Sequence, residues 1–83
     1  MAKLLFFGKL ADIAGGRMRD LPLGAGVKTV SDLIGAMTAE DDALGDALSE
    51  KSVRYIVNET IAAHTASIGD EDEIAFLPPV SGG

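Results

Sequence analysis

The residues best suited to chemistry close the sequence: Pro78-Pro79-Val80-Ser81-Gly82-Gly83. Two prolines cannot extend a sheet ladder and favour a stiff, extended segment that carries the chain away from the body. Beyond them, Ser81, Gly82 and Gly83 are small enough to thread a narrow channel. Having no Cβ, the two glycines let another protein's groups approach a terminal carboxylate closely. Such a carboxylate is ionised and a poor electrophile at neutral pH, so reaction there needs activation from outside. The plain alternative for any glycine-ended chain is a frayed terminus.

Internal candidates are thin by comparison. His64 is the sole histidine, and no Ser-His-Asp or His-rich constellation can be assembled around it. The run Asp70-Glu71-Asp72-Glu73 lacks the spacing of a calcium-binding loop and reads as a solvated turn. The glycines at 24 and 26 form no phosphate-binding fingerprint. With no cysteine there is no disulfide, thiolate metal site or thiol nucleophile, so any sulfur handled here is attached by something else. No bound cofactor and no metal site are expected.

Charge narrows the partners. Net charge is −6, and ten acidic residues fall between Glu40 and Glu73 against Lys51 and Arg54 alone. An acidic surface repels phosphate backbones, so nucleic acid is disfavoured and a protein with a basic face is favoured. No apolar run approaches the ~20 residues of a membrane span, and no signal-peptide plan is present, so a cytoplasmic location away from membranes is the default.

These features need a scaffold, and 83 residues suffice for one domain with a sheet and a helix or two. Lys3 to Gly8 is an apolar run suited to a strand ended by glycine. Leu10, Ile13 and Ala14 predict one or two helical turns stopped by Gly15-Gly16, and Arg17 to Leu23 a second strand. Thr29 is a good N-cap with Asp32 at the capping-box position, and Val30, Leu33, Ile34 and Met37 mark one buried helix face. Leu44, Ala47 and Leu48 predict a shorter helix from Asp41 to Leu48, with Gly45 as its weak point. Strands follow at Val53–Val57, Ile61–Ala63 and Ile74–Leu77, with turns at 58–60 and 69–72. Strands at both ends around one principal helix predict an α+β fold, a β-grasp with a mixed sheet, the first and last strands adjacent at its centre.

Alternation along a strand sends Leu4 and Phe6 one way and Leu5 and Phe7 the other; Ile74 and Phe76 likewise oppose Ala75 and Leu77. One principal helix covers one face. Phe7, Leu77 and Ile61 are therefore expected on an open apolar face available for docking, unless loops or the second helix cover it.

Three stretches give the chain a family resemblance: Lys3-Leu4-Leu5-Phe6-Phe7, Val57-Asn58 with Thr60, and Asp72 through Gly83. Over its whole length it resembles the ubiquitin-like sulfur carriers, the group that holds the small subunits of molybdopterin synthase. Thiamine-pathway carriers, which also end in Gly-Gly but usually lack the Pro-Pro step, are the second match. The resemblance implies one β-grasp domain over residues 1–83 with a tail at 78–83. It implies that a partner enzyme uses ATP to adenylate Gly83, which a sulfur-donor enzyme's sulfur then converts to a thiocarboxylate. The tail, with Gly82 in the partner's active site, would donate sulfur to cyclic pyranopterin monophosphate for molybdenum cofactor synthesis. It also implies docking through Phe7, Ile61, Leu77, Pro78, Pro79, Val80 and Ser81 onto a large subunit, in a heterotetramer of two small and two large subunits. No independent enzymatic activity is expected. The alternatives are a carrier for thiamine or tRNA thiolation, a protein modifier attached through Gly83, and a plain β-grasp interaction module. One departure from the family pattern stands out. Its turn before the last strand usually has glycine between two aspartates, whereas Glu71 lies between Asp70 and Asp72, leaving Gly69 as the candidate for the positive-φ position.

Overall fold

The computed structural model describes residues 1–79. Its elements run β1 (Ala2–Phe6), α1 (Lys9–Ala14), β2 (Met18–Leu21), α2 (Val30–Glu40), α3 (Asp42–Leu48), β3 (Arg54–Val57), β4 (Thr60–Ala62) and β5 (Glu73–Leu77). The five strands form one mixed sheet in the order β2-β1-β5-β3-β4. β1 and β5 pair in parallel at its centre, and the other pairs are antiparallel. This is the α+β β-grasp predicted from the element order.

The local signals form the elements for the expected reasons. At α2 the capping box is complete: Thr29 Oγ1 accepts from the Asp32 amide, and Asp32 Oδ2 accepts from the Thr29 amide, each at 3.1 Å. Asp32 Oδ2 also accepts from the Lys28 amide at 3.1 Å. That backbone donor, with smaller help from Thr29, holds the Asp32 carboxyl below its ordinary value. Asp41 caps α3 by accepting from the Leu44 amide at 3.1 Å.

All three helices bury their apolar residues on the same side of the sheet. Leu10, Val30, Leu33, Ile34, Met37, Leu44 and Leu48 share one core with Leu4, Phe6, Ile74 and Phe76. Phe6 stacks on Phe76 with centroids 5.5 Å apart, and Tyr55 meets Phe76 edge-on at 5.9 Å. The Tyr55 hydroxyl donates to the Leu48 carbonyl at 2.8 Å, and burial pushes its pKa up. Gly45, a weak point for helix propensity, is a packing requirement. A Cβ there would overlap the Thr38 side chain and stand 2.7 Å from its Cα, so α2 and α3 approach through that gap.

The turn before β5 departs from expectation. Gly69 does not take a positive φ; among the described residues those outside glycine that do are Asn58 (φ 49°) and Glu59 (φ 68°), in the β3–β4 hairpin. Two such residues in a row are what a two-residue hairpin of this twist demands. The 69–72 turn is held instead by Asp72, whose Oδ2 accepts from the Gly69 amide at 2.7 Å. Its Oδ1 accepts from Asn58 Nδ2 at 2.9 Å, and Asn58 Oδ1 accepts from the Glu73 amide at 2.9 Å. With side chains closing the turn, no left-handed glycine is needed.

Candidate functional site

The face turned away from the helices is built by register. Pairing of Leu5 with Met18 and Ala75, of Ile56 with Ala75, and of Ile61 with Ile56 sets Met18, Leu5, Ala75, Ile56 and Ile61 in one row across all five strands. Among the described residues, no helix covers that row, because the helices share the core on the other face. Met18 is 58% and Ile61 75% exposed, while Leu5 and Ile56 are half-buried. Ala75, flanked in register by Leu5 and Ile56, is only 5% exposed although it lies outside the helix-side core.

The next row, towards the end of β5, holds Leu77 opposite Arg54. The parallel register of β1 and β5 brings Phe7 alongside Leu77, and the Phe7 amide donates to the Phe76 carbonyl at 3.2 Å. Phe7 is 44% exposed, Leu77 half-buried and Arg54 exposed. On the other side of the apolar row, Asp20, Lys3 and Glu73 line up in register. The face is thus an apolar band with charged flanks, one of which borders the start of the tail. Covering of this face by loops or by the second helix, left open by the sequence, does not occur among the described residues.

Phe7, Leu77 and Ile61 therefore fall on one face, as expected from alternation. Sequence reasoning left Met18, Ile56 and Leu5 off the docking surface. Alternation with Phe7 flagged Leu5's side, but Met18 and Ile56 join the row through strand register, which single-strand patterns do not contain.

Pro78 and Pro79 continue from the sheet's centre, since β5 lies between β1 and β3. Both are half-buried. Gly8, with φ 55° and ψ −134°, lies against Pro78: an added Cβ would be 2.9 Å from Pro78 Cγ. Val80, Ser81, Gly82 and Gly83 lie outside the described residues.

Elsewhere the chemistry-bearing residues are dispersed. His64 is exposed, and its backbone carbonyl accepts from the Ser31 amide at 2.8 Å. It borders a hollow of about 380 Å³ with Ser31, Ser49, Lys51 and Tyr55. Asp70 accepts from the Leu23 amide at 2.8 Å and lies 3.4 Å from the amino terminus. These partners, the Leu23 amide foremost, lower its pKa. Among the described residues no group of three His, Asp or Glu side chains could hold a metal, and no helix is long and apolar enough to cross a membrane.

A helix-backed mixed sheet with an open apolar face, its central strand running into Pro78-Pro79, defines a ubiquitin-like β-grasp protein. A family comparison agrees: residues 4–83 match the ThiS family, and the chain belongs to it. It is 34% identical over 83 residues to the molybdopterin synthase sulfur carrier subunit of Escherichia coli (strain K12), covering all of both chains. Against the protein of the same name from Chlamydomonas reinhardtii it is 33% identical over 82 residues, covering 98% of this chain and 96% of that one. Among solved structures, SAMP1 from Haloferax volcanii superposes with a TM-score of 0.80 at 28% identity, covering 99% of this chain and 98% of that one.

Proposed function

We propose that this chain is the sulfur-carrier subunit of a molybdopterin synthase, loaded and unloaded at Gly83. The observation that carries the reading is the placement of Pro78-Pro79 at the end of the central strand, beside an open apolar face, in a chain matching full-length carrier subunits. The face gives a partner something to hold while the tail reaches its active site. Phe7, Ile61 and Leu77 would dock with their row-mates Met18, Leu5 and Ile56, and the segment from Pro78 to Gly82 would occupy the partner's channel.

The chemistry follows from the carboxylate. In an activating enzyme, a Gly83 carboxylate oxygen attacks the α-phosphorus of ATP, pyrophosphate leaves, and an acyl adenylate forms. A donor supplying sulfur at the hydrosulfide level adds to the acyl carbon and AMP leaves, so one oxygen is replaced by sulfur. In the large subunit the thiocarboxylate sulfur then displaces an oxygen substituent from a carbon of cyclic pyranopterin monophosphate, giving a thioester. Water cleaves its acyl carbon–sulfur bond, which leaves the sulfur on the pterin and restores the carboxylate. This chain contributes aim and cargo and no catalytic group; its complex would hold two copies of each subunit in the cytoplasm.

Intact mass tests the reading. After incubation with the cognate activating enzyme, ATP and a sulfur donor, the chain is expected to gain the mass difference between sulfur and oxygen. No gain overturns it, as would retained transfer after deletion of Gly83.

Two further readings have an observation each. The ThiS family match supports a thiamine-pathway carrier, and the likeness to two solved structures of SAMP1, the small archaeal modifier protein 1 of Haloferax volcanii, supports a protein modifier. Co-purification with a thiazole synthase instead of a synthase large subunit would favour the first. Covalent conjugates through Gly83 would favour the second.

A further inference from the structure

The geometry points to Gly8 as a positioning residue: we propose that its missing side chain sets the direction in which the tail leaves the sheet. The proposal rests on the carrier reading for its consequence but not for its geometry. Gly8 is fixed on both sides. The preceding Phe7 donates its amide to Phe76, and its carbonyl accepts from the Leu10 amide at 3.1 Å. The Gly8 carbonyl accepts from the Ala11 amide at 3.1 Å, opening α1. Its φ of 55° with ψ of −134° is a combination that L side chains rarely adopt. Pro78, by contrast, stands one residue past the last paired residue of β5.

An L side chain at position 8 would put its Cβ 2.9 Å from Pro78 Cγ and 3.8 Å from Cδ. Real Cβ atoms do not sit that close, so one partner must move. With Gly8 tied into α1 through its carbonyl and its neighbour Phe7 tied to β5, the unpaired Pro78 is the part expected to yield. For a tail held extended in a partner's channel, a rotation of about 10° at Pro78 moves the end by about 3 Å over a reach of roughly 17 Å. A partner that grips the face through Phe7 and the tail at its end needs the two in fixed relation. Misplacement on that scale costs reaction rate far more than docking.

The handedness of the site supplies the test. A D-residue at position 8 finds these backbone angles in its own extended, polyproline-II region, and its Cβ takes the position of the other Gly8 hydrogen, not the one that meets Pro78 Cγ. Three proteins are compared: the full chain, Gly8→Val, and a synthetic chain carrying D-alanine at position 8. Residual dipolar couplings of the Cα–Hα bonds of Pro78 and Pro79 report the aim of the tail base. Sulfur loading by the activating enzyme reports its use. Gly8→Val is expected to shift the couplings and to lower kcat about tenfold or more, with KM within about twofold. D-alanine should leave both near the glycine values. If Gly8→Val fails to fold, Gly8→Ala replaces it as the mirror partner of the D-alanine chain. Unchanged couplings in the L-variant, or equal losses for the two hands, overturn the proposal. Absence of loading in the unaltered chain would instead sink the carrier reading, while the couplings still decide whether Gly8 aims Pro78.

Discussion

The two faces of the sheet are nearly matched in apolar content yet differ in fate. On one, Leu4, Phe6, Ile74 and Phe76 are sealed under three helices. On the other, Leu5, Ile56, Met18 and Ile61 reach solvent in a row bordered by Phe7, Leu77 and the tail. Had both faces been built only for stability, the second would favour polar residues, as solvated antiparallel sheets usually do. The difference teaches that the apolar residues of the covered face are the source of folding energy, while those of the open face stay accessible and are the ones proposed for association.

That division can be broken by substitution, beginning where the effect should be largest. Phe76→Ala removes a fully buried ring between Phe6 and Tyr55 and is expected to cost about 3–5 kcal/mol, read by denaturant unfolding. On the open face, Phe7→Asp is expected to weaken binding to a synthase large subunit by about 2 kcal/mol or more, with a much smaller change in stability. Calorimetric titration checks it, and unchanged affinity would return Phe7 to the status of an ordinary exposed residue.

A smaller effect is expected at the hairpin joining β3 to β4. Glu59→Gly relieves a positive φ and should stabilise the fold by about 1 kcal/mol in thermal unfolding, without altering association. Smallest is the acid response of the capping box. Because the folded Asp32 carboxyl is held below its ordinary 3.8, the folded state binds fewer protons there than the unfolded state. Its contribution is complete above that ordinary value and fades as pH falls through the lowered folded one. The stability gap between the chain and Asp32→Asn should therefore be full at neutral pH and close in strong acid, as followed by unfolding across a pH series.

Much of the scaffold was legible residue by residue. Thr29 with Asp32 announced α2, the spacing of Val30, Leu33, Ile34 and Met37 its buried face, and alternation in β1 and β5 the two-sided apolar centre. Each is a local preference repeated at a fixed period, and such preferences are written within a few residues of one another. The end of β5 at Pro78-Pro79 was legible for the same reason, as the inability to extend a ladder is a property of proline itself.

Tertiary structure decided what depends on residues far apart in the chain. Met18 and Ile56 joined Phe7's face through strand register, Gly45 became a close-packing point because Thr38 faces it, and Asp72 with Asn58 closed a turn that would otherwise need glycine at Gly69. Gly8 reads in sequence as the end of a strand; only the parallel pairing of β1 with β5 sets it against Pro78. Sequence alone determined which segments are strand, helix and tail, since backbone sterics and hydrophobic periodicity act locally. Where the base of the tail sits, with Pro78 against Gly8, was left to the packing of those segments, because that contact is a relation between two strands and belongs to neither.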